Sequence, residues 1–378
     1  MPPVNILIKP ASSKCNMRCR YCFYHDVSSL RKVADFGVME EETLKKLIKS
    51  GIDYGDHLLS FAFQGGEPTL AGLDYFKKVV FWQQYFLQKS GKKNLIIHNA
   101  IQTNGYLIDE KWAQFFHDNH FLVGLSLDGP INVHDKNRID SGGQGTFSRI
   151  METIELFNQY KVEYNILSVI TGQNAMAIKR IYRFFTRHNF RYLQFIPCLE
   201  PLEEERGARK YHLSIQEYGQ FLIDIFDLWY EDFKLGNYTS IRHLDNWILL
   251  MLGELPEACN MNGYCSIQFV VEGDGGIYPC DFYVLDEWRL GTVGEQSFEE
   301  IVSNDKARAF IEESLRVPEE CLSCRYRGLC RNGCKRDRIV DGKTGVLKNY
   351  YCEAVYRFFS EREKELAEAA KMVKRRRQ

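Results

Sequence analysis

Apolar and polar positions in the first half of the chain follow two alternating periods. Runs rich in β-branched and aromatic residues recur at Val4–Lys9, Leu58–Phe63, Leu95–Gln102, Phe121–Leu127, Glu163–Ile170 and Tyr192–Ile196. Between them, apolar residues recur at helical spacing near residues 40–50, 72–89, 109–118, 147–160 and 176–187. Strands alternating with amphipathic helices predict an α/β protein built of βα units, with right-handed crossovers and a parallel sheet. A complete eight-fold barrel takes about 250 residues, so six units in roughly 200 residues fit a partial (β/α)6 barrel of the TIM type. Periodicity alone suits a flat, doubly wound sheet as well.

A longer helix is predicted from Ser214 to Leu235. Ser214 and Glu217 make a capping box, Gly236 is the stop, and Ile215, Tyr218, Leu222, Ile225, Trp229 and Phe233 trace one apolar stripe. Beyond Gly236 the pattern breaks into short elements rich in glycine and cysteine. That shift predicts two domains, residues 1–236 and 237–378. Val270–Val271 and Ile277–Tyr278 around Glu272-Gly-Asp-Gly-Gly276 read as a hairpin. A last helix is predicted over about 350–373, with Lys374–Gln378 as a frayed, solvated basic tail.

Composition narrows the class. Lysine and arginine total 49 against 50 acidic residues. That balance speaks against a nucleic-acid-coating protein or a membrane-surface binder. The start, MPPVNILIKP, lacks the features of a signal peptide, and apolar runs such as Trp247–Leu252 are too short to cross a bilayer. A cytoplasmic protein without membrane or nucleic-acid partners is expected. The 12 cysteines are then the anomaly, because reduced and clustered cysteines usually bind metal. Only Cys198 stands apart from the clusters, as a small buried hydrophobe would.

Cys15, Cys19 and Cys22 follow the first strand at its C-terminal end, where barrels of this kind place their chemistry. Three thiolates on a four-iron cluster leave one iron open, whereas structural zinc takes four ligands, with His25 the available fourth. The run Cys15-Asn-Met-Arg-Cys19-Arg-Tyr-Cys22 resembles the signature of radical S-adenosylmethionine (AdoMet) enzymes. That resemblance implies AdoMet on the open iron, cleaved by one electron to a 5′-deoxyadenosyl radical that abstracts hydrogen. Gln64-Gly-Gly-Glu-Pro68, one βα unit later, resembles the family's GGE motif. Gly65 and Gly66 would let the backbone approach AdoMet, and Glu67 would accept from its ammonium. By the same resemblance Tyr21, Ser126, Arg138 and Leu199 contact the cofactor. Arg138 suits its carboxylate and Leu199 its adenine.

The second group comprises Cys259, Cys265 and Cys280, then Cys321, Cys324, Cys330, Cys334 and Cys352. Eight thiolates suffice for two clusters or for two zinc sites, and spacing alone does not choose. The spacing resembles the SPASM extension of radical AdoMet enzymes. It implies one auxiliary cluster on Cys259, Cys265, Cys280 and Cys334, and another on Cys321, Cys324, Cys330 and Cys352. Together with the N-terminal site, that makes three [4Fe–4S] clusters.

A finer resemblance is to the anaerobic sulfatase-maturating enzymes. Leu7-Ile-Lys-Pro-Ala-Ser-Ser13, Cys22-Phe-Tyr-His25, Gln102-Thr-Asn-Gly105, Asp227-Leu-Trp-Tyr-Glu-Asp-Phe233 and Tyr278-Pro-Cys-Asp-Phe-Tyr283 carry it. It implies oxidation of a cysteine or serine, in an unfolded sulfatase segment Cys/Ser-x-Pro/Ala-x-Arg, to Cα-formylglycine. Asp281 would be the base, Tyr24, Gln64 and Arg242 would touch the peptide, and flavodoxin or ferredoxin would deliver electrons. The auxiliary clusters would offer an electron exit. Two other readings remain. One is another SPASM peptide maturase, such as a thioether-forming one, although the signature at Cys15 leaves no room for the N-terminal recognition domain common there. The other is a zinc-binding adaptor.

Overall fold

The computed structural model describes residues 4–340, 342 and 345–377; Met1–Pro3 of the first predicted domain and Gln378 of the basic tail lie outside them. All six predicted strands form: β1 (Val4–Ile8), β2 (Leu58–Phe63), β3 (Ile96–Thr103), β4 (Phe121–Ser126), β5 (Tyr164–Ile170) and β6 (Tyr192–Pro197). A two-residue β7 (Ser240–Ile241) follows. The helices among them are α1 (Phe23–Ser29), α2 (Glu41–Tyr54), α3 (Leu73–Ser90), α4 (Glu110–Asp118), α5 (Phe147–Tyr160) and α6 (Ile178–Arg187). Local chemistry explains their ends. Glu41 and Glu42 occupy the first turn of α2, favoured by the helix dipole, and the Asp109 side chain accepts from the Trp112 amide to cap α4. The helix α1 has no apolar periodicity long enough to predict it.

Two compact units result. The first takes residues up to Leu127, His134–Asn165 and Ile267–Ala309; the second takes Asp128–Val133, Ile166–Ser266 and Phe310 onward.

In the first unit, β1 to β4 pair in parallel in chain order, with Ile6 opposite Phe61, Ala62 opposite Ala100 and Ile101 opposite Val123. The alternating burial of β2 points Leu59, Phe61 and Phe63 inward, where Phe63, Phe76 and Trp112 stack edge to face. The predicted hairpin forms from β8 (Val270–Val271) and β9 (Gly276–Tyr278), and β10 (Gly291–Thr292) extends it. Gly275 closes its turn at φ +83°, a conformation that side chains resist. What the hairpin pattern did not foretell is that β8 pairs in parallel with β1, Leu7 opposite Val270. All four hydrophobic hairpin residues are consequently buried. A buried ion pair, Arg31 to Glu272 at 2.7 Å, ties the segment after α1 to this hairpin.

In the second unit, β5, β6 and β7 pair in parallel. Helix α7 (Ile215–Lys234) starts at the predicted capping box of Ser214 and Glu217 and stops before Gly236 at φ +85°. Helix α8 (Arg242–Met251) follows, and α9 (Cys352–Arg377) packs on both. Phe358 touches Phe226 of α7 and Trp247 of α8, and Arg362 grips Asp227 with both prongs at 2.6 and 2.8 Å. The basic tail is not frayed over its described residues. Helix α9 continues to Arg377, because Arg376 lies over the Phe233 ring at 4.7 Å and Arg377 pairs with Glu254 at 2.7 Å. Cys198 is buried, its thiol donating to the Tyr211 carbonyl. Among the described residues no helix is long and apolar enough to cross a membrane.

Candidate active site

The loop carrying Cys15, Cys19 and Cys22 leaves β1 and enters α1, with Cys22 at the helix N-cap. Backbone bonds strap it to the segment after β4. The Arg18 amide donates to the Ile139 carbonyl at 2.8 Å and the Arg20 amide to that of Asn137 at 2.9 Å. The Gly65–Gly66 turn straps it on the other side. Gly66 donates to the Ser12 carbonyl at 3.0 Å and Glu67 to that of Lys14 at 2.7 Å. A Cβ on Gly66 would sit 2.0 Å from the Lys14 carbonyl oxygen, and Gly65 holds φ +136°. These glycines therefore set the distance between two loops. Gly66→Ala is expected to push the cysteine loop away and to abolish iron loading at that site, read as loss of about a third of total iron by elemental analysis; full iron content would sink this reading.

Burial pushes the Cys15 thiol up to about 12, opposed by the Met17 amide and reinforced by the negative charges of Glu67, Cys19 and Cys22. Thiolates crowded in this way need a positive charge among them. The Asn16 side-chain nitrogen, next in sequence to Cys15, is buried without a partner, a donor suited to an acceptor such as cluster sulfide. Among the described residues, no three His, Cys, Asp or Glu side chains converge tightly enough to hold a single ion. Three thiols beside a buried amide donor suit a four-iron cluster with one open iron better than a closed four-ligand zinc site.

The residues expected around AdoMet fall in two places. Tyr21 and Arg138 are both buried and bonded, Arg138 Nη1 donating to the Tyr21 hydroxyl at 2.9 Å. Ser126 is buried at the end of β4. Leu199 is buried just beyond β6 in the second unit. Glu67 differs from expectation in how fully it is engaged. It is 1% exposed, and its Oε1 accepts from the Thr69 amide, the Thr69 hydroxyl and the Thr103 hydroxyl, while Oε2 accepts from the Asn104 amide. Burial raises its pKa against these bonds. The carboxylate first locks the end of β3 to the GGE turn, and only Oε2 has ready capacity for an ammonium.

Asp281 lies where the β8–β9 hairpin, docked on β1, delivers it. Its Oδ2 accepts from the Tyr24 hydroxyl at 2.6 Å and from Gln64 Nε2 at 2.7 Å. Gln64 also donates to the Tyr24 hydroxyl at 2.9 Å. The structure thus brings together three residues named from sequence and adds a fourth. Lys9 Nζ is 2.8 Å from Asp281 Oδ1 and 4.2 Å from the Tyr24 ring centre, with only 3% of its side chain exposed. Burial, then the Asp281 charge, holds the Tyr24 phenol well above its ordinary range, so it remains a donor. Lys9 was legible only as part of the Leu7–Ser13 run; a lysine closing a buried strand was the available signal. Arg242 lies in the second unit at the start of α8, half exposed, and donates to Gln194 and Glu257.

In that unit Cys321, Cys324, Cys330 and Cys352 line one cavity of about 630 Å³. Burial, together with the other three thiols, pushes Cys330 up to about 11. Cys259 and Cys265 are close enough that Cys265 adds to the effect of burial in raising Cys259. Cys334, in the same unit, caps the turn before Arg338 through its sulfur, while Cys280 belongs to the first unit.

Comparison with known proteins accords with these parts. The Radical SAM superfamily matches residues 10–185, and an iron–sulfur cluster-binding domain, SPASM, matches residues 259–325. A cysteine-type anaerobic sulfatase-maturating enzyme of Clostridium perfringens (strain 13 / Type A) is 48% identical over 95% of this chain and 96% of its own. A serine-type one from Bacteroides thetaiotaomicron is 30% identical over 94% of this chain and 89% of its own. The solved structure of native anSMEcpe with bound AdoMet superposes with a TM-score of 0.93 at 46% identity, covering 98% of this chain and all (100%) of that one. A further structure of anSMEcpe carries both AdoMet and a Kp18Cys peptide, at the same 46% identity. The chain belongs to the anaerobic sulfatase-maturating enzymes, radical SAM proteins with an α/β fold and a SPASM domain.

Proposed function

We propose that this protein oxidises a cysteine of an unfolded sulfatase segment to Cα-formylglycine, without oxygen, with Asp281 as the base. The observation that carries the proposal is the buried carboxylate of Asp281, aimed by Lys9, Tyr24 and Gln64, in the compact unit that also holds Cys15, Cys19 and Cys22. When bound at those cysteines, a [4Fe–4S] cluster with AdoMet supplies a one-electron cleavage whose organic radical removes hydrogen. The chain's own residues do the rest. Tyr24 and Gln64 both donate to Oδ2, leaving lone-pair capacity on the carboxylate for the substrate proton. Conversion of a cysteine removes one Cβ hydrogen atom, one thiol proton and one electron. The hydrogen atom goes to the organic radical, the proton goes to Asp281, and the electron would pass to an auxiliary cluster held by the C-terminal cysteines; water then hydrolyses the thioaldehyde to aldehyde and hydrogen sulfide.

Arg138 and Tyr21 are the proposed holders of the AdoMet carboxylate side, with Gly66 backbone and Glu67 Oε2 near its ammonium. The cavity of Cys321, Cys324, Cys330 and Cys352 suits a second cluster, and Cys259, Cys265, Cys280 and Cys334 are proposed for the third. Flavodoxin or ferredoxin is the proposed donor. Relatives at 48% and 43% identity are of the cysteine type, whereas the serine types are at 30% and 32%, which favours cysteine as substrate.

The test is an anaerobic incubation of reconstituted enzyme with AdoMet, a reductant and a peptide carrying Cys-x-Pro-x-Arg, followed by mass spectrometry. Formylglycine and 5′-deoxyadenosine are expected, both lost in Cys15→Ala, with the serine peptide turned over at least tenfold more slowly. Deoxyadenosine with an unchanged cysteine peptide would overturn the substrate assignment. Neither product from a fully loaded enzyme would overturn the reaction itself.

A further inference from the structure

Asn104 follows β3 in the run Gln102-Thr-Asn-Gly105, is buried, and engages its backbone N–H and both side-chain polar atoms. Its amide N–H donates to Glu67 Oε2 at 2.8 Å. Its Oδ1 accepts from the Tyr106 amide at 2.9 Å, a turn held by its own side chain. Because a backbone donor occupies Oδ1, the orientation of the side-chain amide is settled, and Nδ2 must face the other way. There it donates to Asn16 Oδ1 at 2.8 Å and lies 3.8 Å from Cys15 Sγ. The same sulfur accepts from the Met17 amide at 3.4 Å. A rigid side chain anchored at two other points thus directs N–H toward one cysteine of the N-terminal triad.

We propose that Asn104 is a positioning residue that sets the reduction potential of the N-terminal cluster through its side-chain N–H beside Cys15 Sγ. The inference rests on the reading that Cys15 carries that cluster. Reduction adds negative charge that spreads onto the ligand sulfurs, so a donor at sulfur stabilises the reduced form more than the oxidised one. Asn104 thereby makes the single electron easier to load from the external reductant. Its partner Asn16 holds the amide in place, and Glu67 and Thr103 hold the backbone from which it projects.

A turn residue and a tuning residue are separable by substitution. Asn104→Asp keeps an Oδ1 acceptor for the Tyr106 amide but replaces the donor with an anionic oxygen. Asn104→Ala removes both. The experiment is a redox titration of reconstituted holoenzyme with dithionite and mediators, following by electron paramagnetic resonance the signal that AdoMet addition alters. At the wild-type midpoint, Asn104→Asp is expected to show about a tenfold lower ratio of reduced to oxidised cluster, which is ~59 mV for one electron. Asn104→Ala is expected to show a roughly threefold drop by the same relation. Unchanged midpoints with full iron and sulfide overturn the proposal. So does an equal shift in the signals that AdoMet leaves untouched, or loss of the cluster in both variants, since either makes Asn104 a folding residue. Wild-type enzyme without any AdoMet-sensitive signal would instead overturn the reading beneath it, and the proposal with it.

Discussion

Asp281→Asn is expected to keep all three clusters and AdoMet cleavage while slowing formylglycine formation by about 10²–10⁴-fold, the usual contribution of a positioned base. The substitution is nearly isosteric, and Tyr24 and Gln64 can still donate to the one remaining carbonyl oxygen. What vanishes is the acceptor for the substrate proton. The new amide nitrogen also meets either Lys9 or the Tyr24–Gln64 pair, donor against donor, so side-chain order in the pocket should fall. Peptide mass spectrometry beside deoxyadenosine quantification separates the two halves of the reaction. Deoxyadenosine should still form, uncoupled from product. Normal maturation by this variant would remove Asp281 from the mechanism.

The largest stability effect is expected for Lys9→Met. Lys9 and Asp281 form a nearly dry ion pair, their side chains 3% and 10% exposed. Removing one partner of such a pair leaves a buried charge uncompensated, at about 3–5 kcal/mol. Methionine keeps most of the aliphatic length that Lys9 lays along Tyr24, so the loss reports the charge rather than a cavity. Denaturant unfolding of the same cluster-loaded preparation should show this drop. The double variant Lys9→Met/Asp281→Asn should recover much of it, because the orphaned charge is gone. Strict additivity of the two single changes would show that the pair is not coupled. Activity of Lys9→Met should fall as well, since the carboxylate loses the contact that turns Oδ2 toward Tyr24 and Gln64.

Much of this was legible along the chain because the signals are local. The six strands carry short apolar runs, the helices between them carry 3.6-residue stripes, and Ser214 with Glu217 announces a helix start whatever surrounds it. The exceptions are equally physical. Helix α1 spans only seven residues and rests on contacts such as Phe23 with Phe282, far away in sequence. Helix α8 follows a two-residue strand, too short a run to announce it. The basic tail reads as frayed from its charge; an aromatic ring and a glutamate contributed by α7 and the turn after α8 keep it helical.

The candidate site divides in the same way. The triad, the GGE turn and the two C-terminal cysteine groups are visible because cysteine spacing and close-approach glycines are sequence properties. Gly66 must be glycine for a reason that the structure makes concrete, the Lys14 carbonyl 2.0 Å from where a Cβ would stand. Asp281 could be named only through its neighbours in the motif, since an aspartate after a hairpin is ordinarily a turn cap. The docking of β8 on β1 supplies its chemistry, because that one pairing sets residue 281 against residues 9, 24 and 64. Sequence by itself therefore determined most of the elements, the cysteine groups and the family, all of which depend on neighbours a few residues apart. Tertiary structure alone decided that Lys9 pairs with Asp281, that Glu67 is a buried lock and that Asn104 faces a cysteine sulfur. Each of those depends on which distant backbone happens to lie within 4 Å, and no local pattern encodes that.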